Sequence, residues 1–292
     1  MGIIDDIKLR YNQGGMLLRL IYINIGVFLL LHVASIIAWL FGVEEAKVLL
    51  WVETPSRLGE LVYRPWTVIT YCFSHYELLH ILFNLLWLYW LGRIFLEFFT
   101  AKHLSGLYIL GGIGGAVLYV LAYNCLPALI VQRGYLIGAS ASVIAIVVAV
   151  ATYVPNYKIG LLFLGDVSLK WIAVAMVIMS LLGIGASNTG GDIAHLGGAL
   201  VGFWFAYSFK RGRDITRWIN ASLDGLMSLF RRKRSAGVGQ PTGGTAYHDN
   251  RRNQSEPTEA DLDRVLDKIR RSGYSSLTDD ERDILFRASQ KR

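Results

Sequence analysis

Three short polar patterns lie inside segments that are otherwise apolar: His75, His80 and Asn84 in one, Gly138-Ala139-Ser140-Ala141 in a second, and Ala194-His195 followed by Gly198 and Gly202 in a third. Ionisable groups are costly within a bilayer and mark functional sites there by default. A serine beside a histidine base is the minimum equipment for nucleophilic catalysis. The chemistry therefore depends on whether helices bring these three patterns together at one depth.

Composition says what kind of helices these are. The chain has 292 residues, of which 53% are hydrophobic and 17% charged, against about a quarter charged in a typical soluble domain. It reads as an all-α polytopic membrane protein with a soluble tail. The N-terminal residues Met1 to Gln13 carry Asp5 and Asp6 and no small-residue cleavage pattern, so no processing is expected there. The two cysteines, Cys72 and Cys125, are spaced like neither a metal cluster nor a redox pair and read as small apolar fillers. The net charge of +7 is concentrated in the tail: from Lys210 onward 18 Lys and Arg face 12 Asp and Glu. With no nucleic-acid motif or aromatic-basic interleaving, that excess points to anionic lipid and not to nucleic acid.

Six apolar stretches approach the roughly 20 residues a spanning helix needs: Leu17 to Phe41, Glu77 to Phe98, Leu104 to Tyr123, Tyr135 to Val154, Leu169 to Gly185 and Ile193 to Tyr207. The loop from Gly42 to Tyr76, with Trp51, Pro65 and Trp66, is amphipathic enough to lie in the interface. Lys8, Arg10, Arg19, Arg93, Lys102, Lys158, Lys170, Lys210, Arg211 and Arg213 then fall on one side, which predicts cytoplasmic termini and an external first loop. The domain plan is a cytoplasmic segment over 1–16, a six-span membrane domain over 17–209, an amphipathic basic juxtamembrane helix over 210–234, a flexible linker over 235–257 and a two-helix tail over 258–292. The second tail helix opens on Thr278-x-x-Glu281, a capping box.

Depth is the test of whether the patterns meet. His80 and Asn84 should lie one and two turns into the second span, Ser140 one and a half turns into the fourth, and His195 within the first turn or so of the sixth. At 1.5 Å per residue all four fall in roughly the outer third of the bilayer. His80 and Asn84 share a helix face at i, i+4; the bland alternative is that they join helices by hydrogen bonds. His75 lies one residue beyond that spacing and reads equally as an interfacial histidine. Gly138 and Ala141 on one span and Gly198 and Gly202 on another are small enough for close helix approach, which would press Ser140 against His195.

The runs His75-x4-His80-x3-Asn84, Gly138-x-Ser140 and Ala194-His195-x2-Gly198-x3-Gly202 resemble the signature motifs of rhomboid intramembrane serine proteases, in that family's order. The resemblance covers about residues 15 to 210. It implies a six-helix bundle and a Ser-His dyad, with Ser140 the nucleophile and His195 its general base, and with His80, Asn84 and the Ser140 amide stabilising the oxyanion. It implies no metal and no organic cofactor. Asp192, three residues before His195, has no counterpart role in the family pattern, and an acid near a helix start is favourable electrostatically in its own right. Two positions depart from the pattern. Ala141 stands where the family's serine motif ends in glycine, and its methyl would loosen the helix contact or narrow the oxyanion site. Ile144 stands where the family places an aromatic beside the histidine, which leaves van der Waals contact without ring stacking.

The expected activity is intramembrane proteolysis: hydrolysis of peptide bonds in or near transmembrane segments of other proteins, in a bacterial cytoplasmic membrane. Two other readings compete. One is a membrane metal site built from His75, His80 and His195, which lacks a carboxylate at ligand spacing. The other is a catalytically impaired rhomboid-like scaffold that binds membrane helices. The tail could dock a partner, which the sequence does not name.

Overall fold

The computed structural model describes residues 15–161, 165–230, 259–272 and 277–289. Two compact units divide it, Met1–Asn220 and Ala221–Arg292. The first is built on six helices that match the six apolar stretches: α1 (Met16–Leu40), α5 (Leu78–Phe98), α6 (Ala101–Cys125), α8 (Ser140–Tyr153), α9 (Leu169–Gly183) and α10 (Thr189–Phe209). Between α1 and α5 lie α2 (Glu45–Leu49), β1 (Thr54–Pro55), α3 (Leu58–Tyr63), α4 (Thr67–Thr70) and a 3-10 turn at Tyr71–Phe73. A short α7 (Pro127–Ile130) and β2 (Tyr135–Leu136) precede α8, and the hairpin β3 (Lys158–Leu161) and β4 (Gly165–Ser168) precedes α9.

Of these helices, α1, α5 and α6 are long and apolar enough to cross a membrane. The helices α8 and α9 have 14 and 15 residues, short of what about 30 Å of hydrocarbon requires. The fourth apolar stretch was expected to be helical from Tyr135, but its first residues are extended instead. Tyr135 and Leu136 pair antiparallel with Pro55 and Thr54, and the helix begins only at Ser140.

The apolar run of α8 shows no polar stripe, as befits a helix surrounded by others; every residue from Ala141 to Ala151 is buried. Close packing around it depends on missing side chains. A Cβ on Gly198 of α10 would overlap the Ala141 carbonyl oxygen, one on Gly202 that of Ala145, and one on Gly197 that of Gly114 in α6. These glycines bring α6, α8 and α10 within backbone contact, the arrangement small residues permit between apolar helices.

The first loop is tied to the helices by polar bonds. Tyr71 Oη donates to the Gly112 carbonyl at 2.6 Å and Tyr108 Oη to the Cys72 carbonyl at 2.6 Å, while Asn24 of α1 donates to Tyr108 at 3.0 Å. Tyr71, Tyr108 and Asn24 are buried, and these bonds make their burial tolerable. The indole of Trp66 stacks on that of Trp51 at 6.2 Å and donates to its carbonyl. Both cysteines are free, Cys72 buried and Cys125 exposed.

Beyond α10, α11 (Arg217–Phe230) is amphipathic, as the spacing of its apolar residues predicts. The Arg231 to Arg234 run and residues 235–258 lie outside the described residues. In the second unit, α12 (Glu259–Ser272) and α13 (Asp279–Ser289) form a helical hairpin that buries Val265 and Leu277. Its capping box is formed: Thr278 N–H donates to Glu281 at 2.8 Å and Glu281 N–H to Thr278 Oγ1 at 3.4 Å. Lys268 of α12 also donates to the Glu281 carboxylate, at 2.7 Å and 2.8 Å.

Candidate active site

Ser140 is the first residue of α8, not one and a half turns inside a helix, because the chain before it is held extended. Gly138 makes the turn into the helix at φ +120, a conformation L side chains rarely adopt. A Cβ there would also lie 2.6 Å from the His80 ring. The Gly138 N–H donates to the Tyr71 carbonyl at 3.0 Å, and the Ala139 N–H to His75 Nε2 at 3.1 Å. His75 is fully buried, and burial followed by the neighbouring His80 pushes its pKa down to about 3. The imidazole is thereby kept neutral, able to accept at Nε2. It is a bracket for the serine turn, a role the sequence reading did not assign to it.

Across the helix contact, Ser140 Oγ lies 2.7 Å from His195 Nε2. His195 falls in the second turn of α10, slightly deeper than expected, since that helix already starts at Thr189. The other ring nitrogen, Nδ1, faces Ser180 Oγ of α9 at 3.2 Å. Asp192 Oδ1 stands 3.7 Å from the same nitrogen, beyond hydrogen-bond length. The sequence gives Ser180 no flag: it is a lone hydroxyl in an apolar helix, and such residues usually bond back to their own helix.

His80 and Ser140 line a cavity of about 340 Å³ together with Tyr119, Tyr123 and the helix start at Thr189 and Gly190. The His80 ring meets that of His75 edge-on at 5.2 Å. Asn84, largely buried, donates to the His80 carbonyl at 2.9 Å, which uses one of its two amide protons. On its other side His195 borders a mainly apolar cavity of about 710 Å³ shared with Ile144, Trp87, Trp171 and Met179. Ile144, four positions after the serine, thus lines the same cavity as the histidine. Among the described residues no three His, Cys, Asp or Glu side chains gather as a metal site requires.

The methyl group of Ala141, for which looser helix contact or a narrower oxyanion site is the expectation, points into the contact between α8 and α6. It is buried against Gly115 of α6, whose missing Cβ makes room for it, as that of Gly111 does for the methyl of Ala145.

This half-buried serine and histidine, on helices brought together by glycine contacts, occur in a chain whose residues 63–212 match the Rhomboid domain family. The match covers just over half of the sequence, and the chain belongs to the rhomboid family; it is an integral membrane protein. Residues 247–291 match DUF6576, a family of unknown function. Among curated relatives, RHOMBOID-like protein 12, mitochondrial, of Arabidopsis thaliana is 31% identical over 159 residues, 50% of this chain and 47% of that protein. Presenilin-associated rhomboid-like protein A, mitochondrial, of Danio rerio is 28% identical over 136 residues, 46% and 34% of the two. Rhomboid protease GlpG of Klebsiella pneumoniae is 32% identical over 84 residues, 29% and 27%. The chain spans less than half the length of each of these relatives.

Proposed function

We propose that the protein is a six-span intramembrane serine endopeptidase that hydrolyses peptide bonds in or near the transmembrane segments of other membrane proteins. The observation that carries this reading is the 2.7 Å approach of Ser140 Oγ to His195 Nε2, between residues 55 apart in sequence.

In the proposed reaction His195 Nε2 takes the Ser140 hydroxyl proton as Oγ bonds to the scissile carbonyl carbon. The carbonyl oxygen gains the negative charge. The first amides of a helix have no partner within it and sit at its positive end, so the Ser140 N–H is available to that oxyanion. His80, adjoining Gly138, and the remaining Asn84 amide proton are the further donors in this reading. The protonated His195 gives its proton to the leaving amine, and the acyl ester on Ser140 is then hydrolysed by water that His195 activates. The 340 Å³ cavity offers that water a polar path which apolar hydrocarbon would not.

A substrate helix must unwind to present a carbonyl, which favours residues of weak helix propensity at the cut. The amphipathic α11 and the basic residues after it suit an anionic lipid surface, with both termini on the cytoplasmic side. The bacterial cytoplasmic membrane draws no support from the relatives, two of which are described as mitochondrial.

The test is cleavage of a transmembrane substrate by the purified protein beside Ser140→Ala and His195→Ala, with fluorophosphonate labelling of each. Loss of cleavage and labelling in both variants is expected. Cleavage that persists in Ser140→Ala would refute the serine mechanism. A folded wild type that neither cleaves nor labels would favour a helix-binding scaffold.

A further inference from the structure

We infer that Ser180 is a positioning residue for His195, a second hydroxyl that sets which nitrogen of the imidazole carries the proton. The inference rests on the proposed serine protease reading and extends it.

Ser180 lies on α9 and is 4% exposed, so its hydroxyl must find partners within the protein. It has two. Its Oγ donates to the Met176 carbonyl one turn earlier at 3.0 Å, and it lies 3.2 Å from His195 Nδ1. A serine hydroxyl carries a single proton. With that proton given to the Met176 carbonyl, Oγ faces Nδ1 only as an acceptor. The neutral ring then keeps its proton on Nδ1, donating to Ser180, and leaves Nε2 with the lone pair that faces Ser140 at 2.7 Å. The opposite tautomer would turn a lone pair toward Ser180 Oγ and an N–H toward Ser140, and the serine would have no base.

The same bond serves the next step. When Nε2 accepts the Ser140 proton, the ring is positive, and Ser180 Oγ already points its lone pair at Nδ1–H. Asp192 is the nearest competitor for this role, but its Oδ1 stands at 3.7 Å from Nδ1, beyond hydrogen-bond reach. Its carboxylate occupies the space left by the missing Cβ of Gly183 at the end of α9. Ser180 therefore holds the orienting position which a buried acid holds in serine enzymes with a full triad. A neutral hydroxyl supplies less charge stabilisation than a carboxylate, and it can be buried without an ion's desolvation cost.

The helices concerned give the arrangement a directional logic. His195 and Asp192 are on α10, Ser140 on α8 and Ser180 on α9, so the base is gripped from two neighbouring helices at once. A displacement of α9 relative to α10 would release Nδ1 while leaving the Ser140 contact in place.

The experiment measures kcat and KM for a transmembrane substrate, and the rate of fluorophosphonate labelling, in wild type, Ser180→Ala, Ser180→Thr and Ser140→Ala, each checked for an unchanged melting temperature. Ser180→Ala should lower kcat and the labelling rate by about tenfold to a hundredfold, the range for one hydrogen bond to a group that becomes charged, with KM within about twofold. Ser180→Thr, which keeps the acceptor, should recover most of the rate. Ser180→Ala acting at the wild-type rate, or losing activity only through KM or folding with no rescue by threonine, overturns the inference while leaving the serine mechanism intact. Cleavage by Ser140→Ala, or no turnover by wild type, would instead fell the underlying mechanism and this inference with it.

Discussion

The methyl of Ala141 occupies the space that Gly115 leaves open: a Cβ built on Gly115 would lie 2.6 Å from Ala141 Cβ, and 3.0 Å from the Ala194 carbonyl oxygen. The residue after the serine and the residue before the histidine therefore press on the same glycine. Gly115→Ala should overpack this contact, at about 1–3 kcal/mol, and lower both the melting temperature and the cleavage rate. Pairing it with Ala141→Gly should recover part of the loss, because one of the two opposing methyls is then gone. Thermal unfolding in detergent of the two single variants and the pair measures this; additive losses would mean the two positions do not share a space.

His75 holds the Ala139 amide at 3.1 Å, immediately before Ser140. His75→Ala leaves that buried N–H without its acceptor, a cost of about 1–3 kcal/mol, and frees the turn that aims Ser140. Stability and labelling of Ser140 should fall together. His75→Gln, with an oxygen reaching about as far as Nε2, should restore most of both. A variant that keeps full stability but loses activity would contradict this bracing role and place His75 in direct contact with substrate.

Much of this was legible in the sequence. Each of the six apolar stretches contains a helix, and the motif spacing and small-residue faces pair Ser140 with His195, which stand 2.7 Å apart. What the sequence misjudged were places where one element answers another. The start of α8 is delayed because Tyr135 and Leu136 pair with a strand 80 residues earlier, which no local periodicity encodes. Ala141 looked disruptive because its compensating glycine is on a different helix. Ser180 was invisible because an isolated serine on an apolar helix carries no pattern; only its distance to His195 distinguishes it.

His80 and Asn84 make different claims on the oxyanion and should differ in effect. His80 lines the cavity with Ser140 and touches Gly138, whereas Asn84 has already given one amide proton to the His80 carbonyl. His80→Ala should lower kcat by about a hundredfold, the effect of losing one oxyanion donor. Asn84→Ala should cost less, about tenfold, being the loss of one ordinary hydrogen bond. Turnover at saturating substrate decides the order; equal losses would make the two residues one unit.

At the far end of α6, His103 Nε2 lies 3.4 Å from Asp214 Oδ2, and Asp214 Oδ1 accepts from the Thr216 amide at 2.8 Å and its hydroxyl at 2.6 Å. Burial pushes the Asp214 carboxyl up, but the hydrogen bonds from His103 and Thr216 outweigh it and hold the group below its ordinary value. A lowered native pKa means that the ionised form stabilises the fold. That contribution is fully present above the unfolded value of about 3.9 and is lost as pH falls through the native one. Asp214→Asn should therefore melt lower than wild type at neutral pH, by about 1 kcal/mol after allowing for partial solvent exposure. The gap should narrow below about pH 4, where the wild-type carboxyl takes up its proton. Paired melting curves from pH 7 down to 3 measure it; a gap that widens on acidification would mean that Asp214 is strained as an anion and is not held by His103 and Thr216.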